Sequence, residues 1–261
     1  MIPARVHCFA DAAEAGRAGA ALVANAIVDA LRTRGTCRLA LAGGSTPRHL
    51  YRCLAAEPYR SLVPWAALDI FWSDERTVAP SHADSNYGMA CETLLHHVSV
   101  DWRHVHRIEG EIDPPTAAGR YESTIRAAFG GACSGGFSDP PAVPRFDLVL
   151  LGLGADGHTA SLFPGTRAVD ERDALVAVNR VASLRTTRIT MTLPLINAAR
   201  RVLFVVAGAD KAAAVRLALE STAGAATAPA ARVQLREGRV DWILDAAAAS
   251  LVQCPATEVM A

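Results

Sequence analysis

The chain has 261 residues, 51% of them hydrophobic, and its 26 acidic side chains balance its 26 basic ones. This length suits one α/β domain or two small ones, and the balanced charge, with a sequence pI near 7.1, gives no reason to expect nucleic acid or a charged membrane surface as a partner. No apolar run approaches the roughly 20 residues that a transmembrane helix needs, the N-terminal stretch lacks the apolar segment of a signal peptide, and the six cysteines form no Cys-x-x-Cys pair. We therefore expect a cytoplasmic protein with reduced thiols.

The hydrophobic pattern predicts helices and strands that alternate along the chain. The first helix is alanine-rich, covers residues 10–34 and is followed by Gly35, which is typical of a helix C-cap. Further helices are predicted at residues 44–57, 84–97, 114–129 and 210–220. Strands are predicted at residues 38–43, 68–73, 146–152, 174–179, 188–193, 201–208 and 241–244.

Continuously apolar strands that alternate with helices are typical of a mostly parallel sheet with helices on both faces. Residues 130–145 are rich in Gly, Pro and Ser, and we interpret them as a surface connection because the alternation continues on both sides. The sequence therefore predicts one α/β domain over residues 1–261. Because ligands bind outside the carboxyl ends of the strands in such a sheet, the loops that follow the strands are the candidates for a functional site.

The first of these loops, AGGSTPRHLY, has the features of an anion site. Gly43 and Gly44 allow the backbone to approach a ligand closely, and the hydroxyls of Ser45 and Thr46 add donors to the free N–H groups of a helix N-terminus. We expect Thr46 to be the N-cap and Pro47 to take the first helical position. The loop matches no nucleotide-binding pattern, and an ordinary capped turn is the alternative interpretation.

The second loop places Asp74, Glu75 and Arg76 directly after the strand predicted at residues 68–73. An arginine at a strand end can hold a phosphate or a developing oxyanion through its planar set of donors. A solvated charge cluster is the alternative, but the position at the end of a sheet strand favours the functional interpretation.

The third loop, LGLGADGHTASLFPG, combines glycines with an acid and a base two residues apart, Asp156 and His158. A carboxylate near an imidazole fixes its tautomer and supports the imidazolium that forms when the ring takes a proton. A histidine can both accept and return a proton near neutral pH. We expect Thr159 and Ser161 to open the next helix, which would place Ser161 too deep in that helix for a serine-hydrolase nucleophile.

Other features are weaker. Residues 96–111 hold four histidines, and His104 and His106 are expected on one face of a short strand. No nearby cysteine or carboxylate completes a tetrahedral ligand set, so we expect no metal there. Lys211, at a strand-to-helix junction, and Arg188, before a strand, are candidates for a contact with phosphate.

Together these stretches resemble the 6-phosphogluconolactonase family. The matching segments run in the family's order across residues 38–216 and include LALAGGSTPRHLY, FWSDERTVAPSHADSNYGMA, VHRIEGE, LVLLGLGADGHTASLFPG and RITMTLPLINAARRVLFVVAGADKAAAV. The related glucosamine-6-phosphate deaminases share a looser Gly-Ser-Thr-Pro and Asp-Gly-His skeleton. The main departure is the Gly/Pro-rich residues 130–145, which are longer than typical.

The resemblance implies a Rossmann-like three-layer α/β/α fold, like that of the sugar-phosphate isomerases and deaminases, and no required metal or redox cofactor. It implies hydrolysis of 6-phosphoglucono-1,5-lactone to 6-phosphogluconate in the oxidative pentose phosphate pathway, by a monomer or a weak homodimer. His158 would activate water, as the histidine of the family does, and Asp156 would orient it. Arg76 would face negative charge, either at the carbonyl oxygen or at the phosphate. The expected substrate and phosphate contacts are Gly43, Gly44, Ser45, Thr46, Asp74, Arg188 and Lys211.

Two rival functions remain on the same scaffold. A sugar-phosphate isomerase or deaminase would need an additional acid or base to move a proton between carbons, and it would act on an amino sugar phosphate. A sugar-phosphate sensor would be expected to carry a DNA-binding helix-turn-helix and to tolerate the loss of His158.

Overall fold

A computed structural model of the chain describes residues 4–130, 143–220 and 228–253. Most of the predicted connection at residues 130–145 lies outside these ranges. The strands are β1 (Arg5–Phe9), β2 (Cys37–Leu41), β3 (Leu68–Trp72), β4 (Asp74–Arg76), β5 (Leu148–Leu151), β6 (Val176–Val181), β7 (Thr186–Met191), β8 (Arg201–Val206) and β9 (Arg239–Asp245). The helices are α1 (Ala12–Arg34), α2 (Ser45–Leu54), α3 (Tyr59–Leu62), α4 (Asn86–Thr93), α5 (Pro114–Phe129), α6 (Leu193–Asn197) and α7 (Ala212–Glu220).

The ends of the first helix follow from local chemistry. The Asp11 side chain accepts a hydrogen bond from the Glu14 N–H at the start of α1, and Gly35 ends the helix at a left-handed φ of 71°. The helix predicted at residues 84–97 is shorter than expected. It ends at Thr93, and a 3₁₀ turn at Leu95–His97 follows it.

Six strands form one fully parallel sheet in the order β1-β9-β8-β5-β2-β3. All four residues of β5 are buried, as expected for a central strand that is covered by other layers on both faces. The predicted α/β class with a mostly parallel sheet is therefore confirmed. The edge strand β1 was missed, because its sequence RVHCF carries two polar residues within five.

Two of the predicted strands lie outside this sheet. β6 and β7 pair with each other antiparallel, and β7 also pairs antiparallel with β4, which forms a separate three-stranded sheet. Both were correctly predicted as strands, and the sequence did not indicate that they form a sheet of their own. The short strand β4 was missed altogether, since its residues Asp-Glu-Arg show no apolar pattern.

The topology creates a crevice next to β2 and β5. After β2 the chain continues through α2 to β3 on one side of the sheet, whereas the strand that follows β5 in this sheet, β8, lies on the other side. The loops at the carboxyl ends of β2 and β5 therefore diverge, and such a switch point is where open α/β sheets bind ligands.

The described residues include no helix that is both long enough and apolar enough to cross a membrane. Cys37, Cys53 and Cys91 are free thiols, and burial raises the pKa of Cys37.

Candidate active site

The three loops meet in a cleft at the carboxyl ends of the parallel strands. Its volume is about 190 Å³. The side chains of Arg76, His158 and Lys211 reach it, together with residues 42–47. The further lining residues are Ser73, Asp74, Asn86, Gly152, Leu153, Gly154, Ala160, Val205, Val206 and Ala207.

A larger groove of about 1100 Å³ lies away from these strand ends. It is lined by residues of α7, β9 and the C-terminal part of the described chain, and its lining within the described ranges includes no histidine, cysteine or aspartate. We therefore take the smaller cleft as the candidate active site, because it combines a base, His158, with two cations, Arg76 and Lys211.

The first loop leads into α2 with its N-terminal N–H groups open. Gly44 is the N-cap, and no side chain caps the helix. Thr46 is therefore not the N-cap, and Pro47 stands at the third helical position and not at the first. Both expectations were wrong, because the helix begins two residues earlier than expected, at Ser45. An uncapped helix N-terminus of this kind favours an anion.

The hydroxyl of Tyr51 fixes the start of this loop. It donates to the Ala42 C=O at 2.8 Å and accepts from the Ala42 N–H at 2.9 Å, and it is completely buried. Tyr121 does the same at the end of β3, where its hydroxyl bonds both backbone groups of Trp72. Burial raises the pKa of both tyrosines, so the two phenols stay neutral hydrogen-bonding groups.

Gly43 is required by a close approach between the first two loops. A Cβ atom at this position would lie 1.8 Å from Oδ1 of Asn86. The Asn86 amide donates to the backbone oxygen of Asp74 at 2.9 Å and to its carboxylate at 3.2 Å. The loops after β2 and β3 are thus held in contact by a buried amide, and only glycine fits opposite it.

Glu75 ties the second loop to helix α4. One carboxylate oxygen accepts from the backbone N–H groups of Arg76 and Asn86, and the other accepts from the Tyr87 N–H and the Ser85 hydroxyl. Burial raises the pKa of Glu75, against the lowering effect of these backbone hydrogen bonds. The side chain is 2% exposed, so it positions the loop and does not contact solvent.

The guanidinium of Arg76 is only partly engaged by the protein. One Nη donates to the Asp84 C=O at 2.6 Å, while Nε is buried with no hydrogen-bond partner among the described residues. Arg188 lies opposite Arg76 in the register of β4 and β7 and donates to Thr186 and Thr187. Burial and the charge of Arg76 lower the pKa of Arg188. Arg188 therefore lies beside Arg76 in the second sheet, and it is not among the lining residues of the cleft.

In the third loop, Asp156 and His158 form a close pair. Their Oδ1 and Nδ1 atoms are 2.6 Å apart, and the same oxygen accepts from the His158 N–H at 3.1 Å. Partial burial tends to raise the pKa of Asp156, but the hydrogen bond from the His158 N–H and the charge of the ring hold it below its usual value. The imidazole ring stacks on the ring of Phe163, with 4.1 Å between the ring centroids. A Cβ at Gly154 would lie 2.0 Å from Nδ1 of His158, so glycine makes room for the ring.

Residues after His158 do not form the expected helix. Thr159 and Leu162 pair in an isolated bridge, and Ser161 lies in this turn with its hydroxyl 2.6 Å from a carboxylate oxygen of Asp74. The interpretation of Ser161 as a helical residue was wrong. Its hydroxyl donates to Asp74, which is 6% exposed and also bonds Asn86, so both carboxylate oxygens already have protein partners.

Lys211 stands in a 3₁₀ turn after β8, with Nζ 2.9 Å from the carboxylate of Asp210. Asp210 is largely exposed, and exposed pairs of this kind are weak. The ammonium is therefore available to a ligand in the cleft that it lines.

The sequence did not reveal the supporting residues Tyr51, Asn86 and Tyr121, and it did not reveal the supporting roles of Glu75 and Ser161. The polar residues of SDER (residues 73–76) and SNYG (residues 85–88) were the signal that could have indicated them, because a polar side chain that is buried needs hydrogen-bond partners. Their partners lie up to 87 residues away, which sequence spacing does not show.

Outside the cleft, the expectation that no carboxylate lies near the histidines of residues 96–111 was also wrong. A carboxylate does lie beside the histidines of the 96–111 stretch. Asp69 of β3 contacts both His104 and His106.

Comparison with known proteins agrees with this geometry. Residues 10–242 match the family described as glucosamine-6-phosphate isomerases/6-phosphogluconolactonase. A 6-phosphogluconolactonase of Nostoc sp. is 39% identical over 87% of this chain and 89% of its own length, and one of Synechocystis sp. is 40% identical over 85% and 88%. The solved structure of 6-phosphogluconolactonase from Trypanosoma brucei superposes with a TM-score of 0.81, with 31% identity over 97% of this chain and 100% of that one. The chain therefore belongs to the glucosamine-6-phosphate isomerase/6-phosphogluconolactonase family, and within it to the 6-phosphogluconolactonases.

Proposed function

We propose that the chain hydrolyses 6-phosphoglucono-1,5-lactone to 6-phosphogluconate, with His158 as the general base on water. The observation that carries the proposal is the Asp156–His158 pair in a cleft that also presents an uncapped helix N-terminus and two cations. The named activity of relatives at 39% and 40% identity supports the substrate.

In this mechanism the Asp156 carboxylate accepts a hydrogen bond from Nδ1–H of His158. That tautomer leaves Nε2 unprotonated and able to take a proton from water. The stacking of the ring on Phe163 and the close approach of Gly154 hold the imidazole in place. A base worth roughly 10²–10⁴-fold in rate is enough for a lactone, which opens slowly by itself.

The water oxygen attacks the lactone carbonyl carbon as its proton passes to Nε2, and the carbonyl oxygen becomes a tetrahedral oxyanion. The bond between this carbon and the ring oxygen then breaks, and the imidazolium returns the proton to the departing ring oxygen. The products are a carboxylic acid, which ionises, and a free hydroxyl. Water is the only co-reactant that this hydrolysis consumes.

The anionic substrate is held at two places. The N–H groups at the start of α2, with the hydroxyls of Ser45 and Thr46, bind the phosphate, and Lys211 adds a charge to it. Arg76, whose Nε has no partner among the described residues, meets negative charge at the carbonyl oxygen or at the phosphate. Arg188 lies beside Arg76 in the second sheet and adds positive charge there, and Asp74 holds the loops through Asn86 and Ser161. Because the phosphate is bound away from the reacting carbon, the lactone is oriented with its carbonyl group beside His158.

The test is the rate of loss of freshly generated 6-phosphogluconolactone above its spontaneous opening, for the wild type and for His158→Ala. We expect the variant to lose about 10²-fold or more of kcat/KM while its circular dichroism is unchanged. His97→Ala, an exposed histidine outside the cleft, is the matched control and keeps full activity.

The activity should also survive EDTA. Near-normal turnover by His158→Ala would remove the base assignment. Folded wild-type protein that releases ammonia from glucosamine 6-phosphate and leaves the lactone untouched would replace the lactonase proposal by the deaminase alternative.

A further inference from the structure

A cluster of two histidines and one aspartate lies on the far edge of the parallel sheet. Asp69 is the second residue of the edge strand β3, whereas the cleft lies beyond the last residue of that strand. Val105 forms a parallel bridge with Ile70, and the next residue, His106, donates its N–H to the Ile70 C=O at 2.8 Å. His104 ends a 3₁₀ turn at Trp102–His104, and the extended residue Val105 joins it to His106, so His104 does not lie in the short strand expected from the sequence.

Both rings converge on one carboxylate oxygen. Nδ1 of His104 lies 2.7 Å and Nε2 of His106 lies 3.4 Å from Oδ1 of Asp69, and the three atoms all lie within 4.8 Å of one another. Ligand atoms at about 2.0–2.2 Å from a tetrahedral Zn²⁺ are roughly 3.3–3.5 Å apart. The His106 contact already has this spacing, and the His104 contact needs to open by less than about 1 Å.

The surroundings keep the carboxylate charged and oriented. Burial tends to raise the pKa of Asp69, but the hydrogen bonds from His106 and His104 hold it below its usual value. Nε of Arg38 lies 3.8 Å from the other oxygen, Oδ2, and has no hydrogen-bond partner in the described ranges. Arg38 therefore neighbours Oδ2 and leaves Oδ1 to the histidines, although its positive charge reduces the affinity for a cation.

The cluster is also accessible and partly rigid. The His106 ring stacks on the buried Phe71 with 4.5 Å between centroids, and its side chain is 20% exposed. The side chain of His104 is 50% exposed, so an ion can enter from solvent on that side and keep a water there. Neither ring belongs to the cleft or to the proposed reaction.

We propose that Asp69, His104 and His106 form a binding site for a divalent transition metal ion, with Zn²⁺ as the best match. Two imidazole nitrogens and one carboxylate oxygen are the ligand types that suit Zn²⁺, and three protein ligands leave its fourth position open. The proton between His104 and Asp69 leaves Nδ1 when the ion binds. Because protons compete for the nitrogens, the affinity falls as the pH is lowered. The site does not depend on the proposed hydrolysis.

The test is calorimetric titration of the metal-free full-length chain with Zn²⁺, repeated with Co²⁺ and followed by its visible absorption. We expect one ion per chain, the intense Co²⁺ bands of a four-coordinate site, and weaker binding at acidic pH. His104→Ala and Asp69→Asn should each weaken binding at least about 10-fold. His104 is half exposed, so its removal is compatible with folding, which circular dichroism checks.

Matched controls separate this site from others. His97→Ala removes a histidine of the same stretch that is outside the cluster, and His158→Ala removes the ring in the cleft; both should bind as the wild type does. No stoichiometric binding, or binding that is unchanged in His104→Ala and Asp69→Asn, would overturn the proposal. The hydrogen bonds of the cluster would then have only a structural role, which is to hold residues 102–106 against the edge strand.

Discussion

The contact between Gly43 and Asn86 allows a quantitative test of how the cleft is assembled. In Gly43→Ala the new Cβ would lie 1.8 Å from Oδ1 of Asn86, about 1.6 Å inside ordinary van der Waals contact. Gly43 is not among the glycines with positive φ, so the backbone tolerates alanine and the effect is steric. To make room, the Asn86 amide has to leave its hydrogen bonds to Asp74.

The expected cost follows from these contacts. A buried polar group left without its partner costs about 1–3 kcal/mol, and overpacking a filled site adds about 1–3 kcal/mol. We therefore expect Gly43→Ala to lower the free energy of unfolding by about 2–5 kcal/mol, a large part of the 5–15 kcal/mol of a typical domain. Since both residues line the cleft, kcat/KM for the lactone should fall as well.

Urea denaturation followed by circular dichroism measures this cost. Gly119→Ala is the matched control, because a Cβ there meets nothing within 4 Å in the interior of α5, and it should stabilise the chain by about 0.5–1 kcal/mol. In an Asn86→Ala background the clash is absent, so Gly43→Ala should cost at least about 1 kcal/mol less there. A Gly43→Ala protein as stable as the wild type, or an equal cost in both backgrounds, would refute the steric argument.

Two further predictions concern buried polar groups. Tyr51→Phe removes both hydrogen bonds to the backbone of Ala42 and should lower the free energy of unfolding by about 2–4 kcal/mol in urea; a loss below about 0.5 kcal/mol would show that the loop finds other partners. Asp241 is 1% exposed, and although burial tends to raise its pKa, the hydrogen bond from His7 and the charges of Arg201 and Arg239 hold that pKa below its usual value. Its stabilising effect is therefore complete above the unfolded pKa of about 3.9 and is lost as the pH falls through the lower pKa of the folded state. Asp241→Asn should cost about 3–5 kcal/mol at neutral pH and flatten the fall in stability below about pH 4, and an unchanged slope would contradict this assignment.

The sequence predicted the parallel sheet well because its strands are continuous apolar runs. β3, β5 and β8 lie within the predicted strands, β2 begins one residue before its predicted start, and the long helix α1 ends at the predicted Gly35. Because polar loops follow these strands at the same edge of a parallel sheet, the loops at Gly43, Arg76 and His158 were expected to meet. The structure brings all three into one cleft. The roles of these residues in catalysis remain predictions.

The local pattern failed where a segment is polar or short. β4 consists of Asp74, Glu75 and Arg76, and only its pairing with β7 makes it a strand. Thr46 and Ser161 were misplaced because a hydroxyl residue can cap a helix, stand inside it or bond a distant carboxylate, and neighbouring residues do not distinguish these cases.

The sequence by itself determined the α/β class, the family and the loops that carry the chemistry, because apolar periodicity and short motifs are local properties of the chain. Only the tertiary structure decided which distant groups meet: Asp74 with Ser161 across 87 positions, and Asp69 with His104 across 35. Each of these pairs joins groups from separate elements, and their distance is set by how the sheets and loops pack. Spacing along the sequence does not predict that packing, so only the three-dimensional structure identified the supporting network of the cleft and the histidine–aspartate cluster.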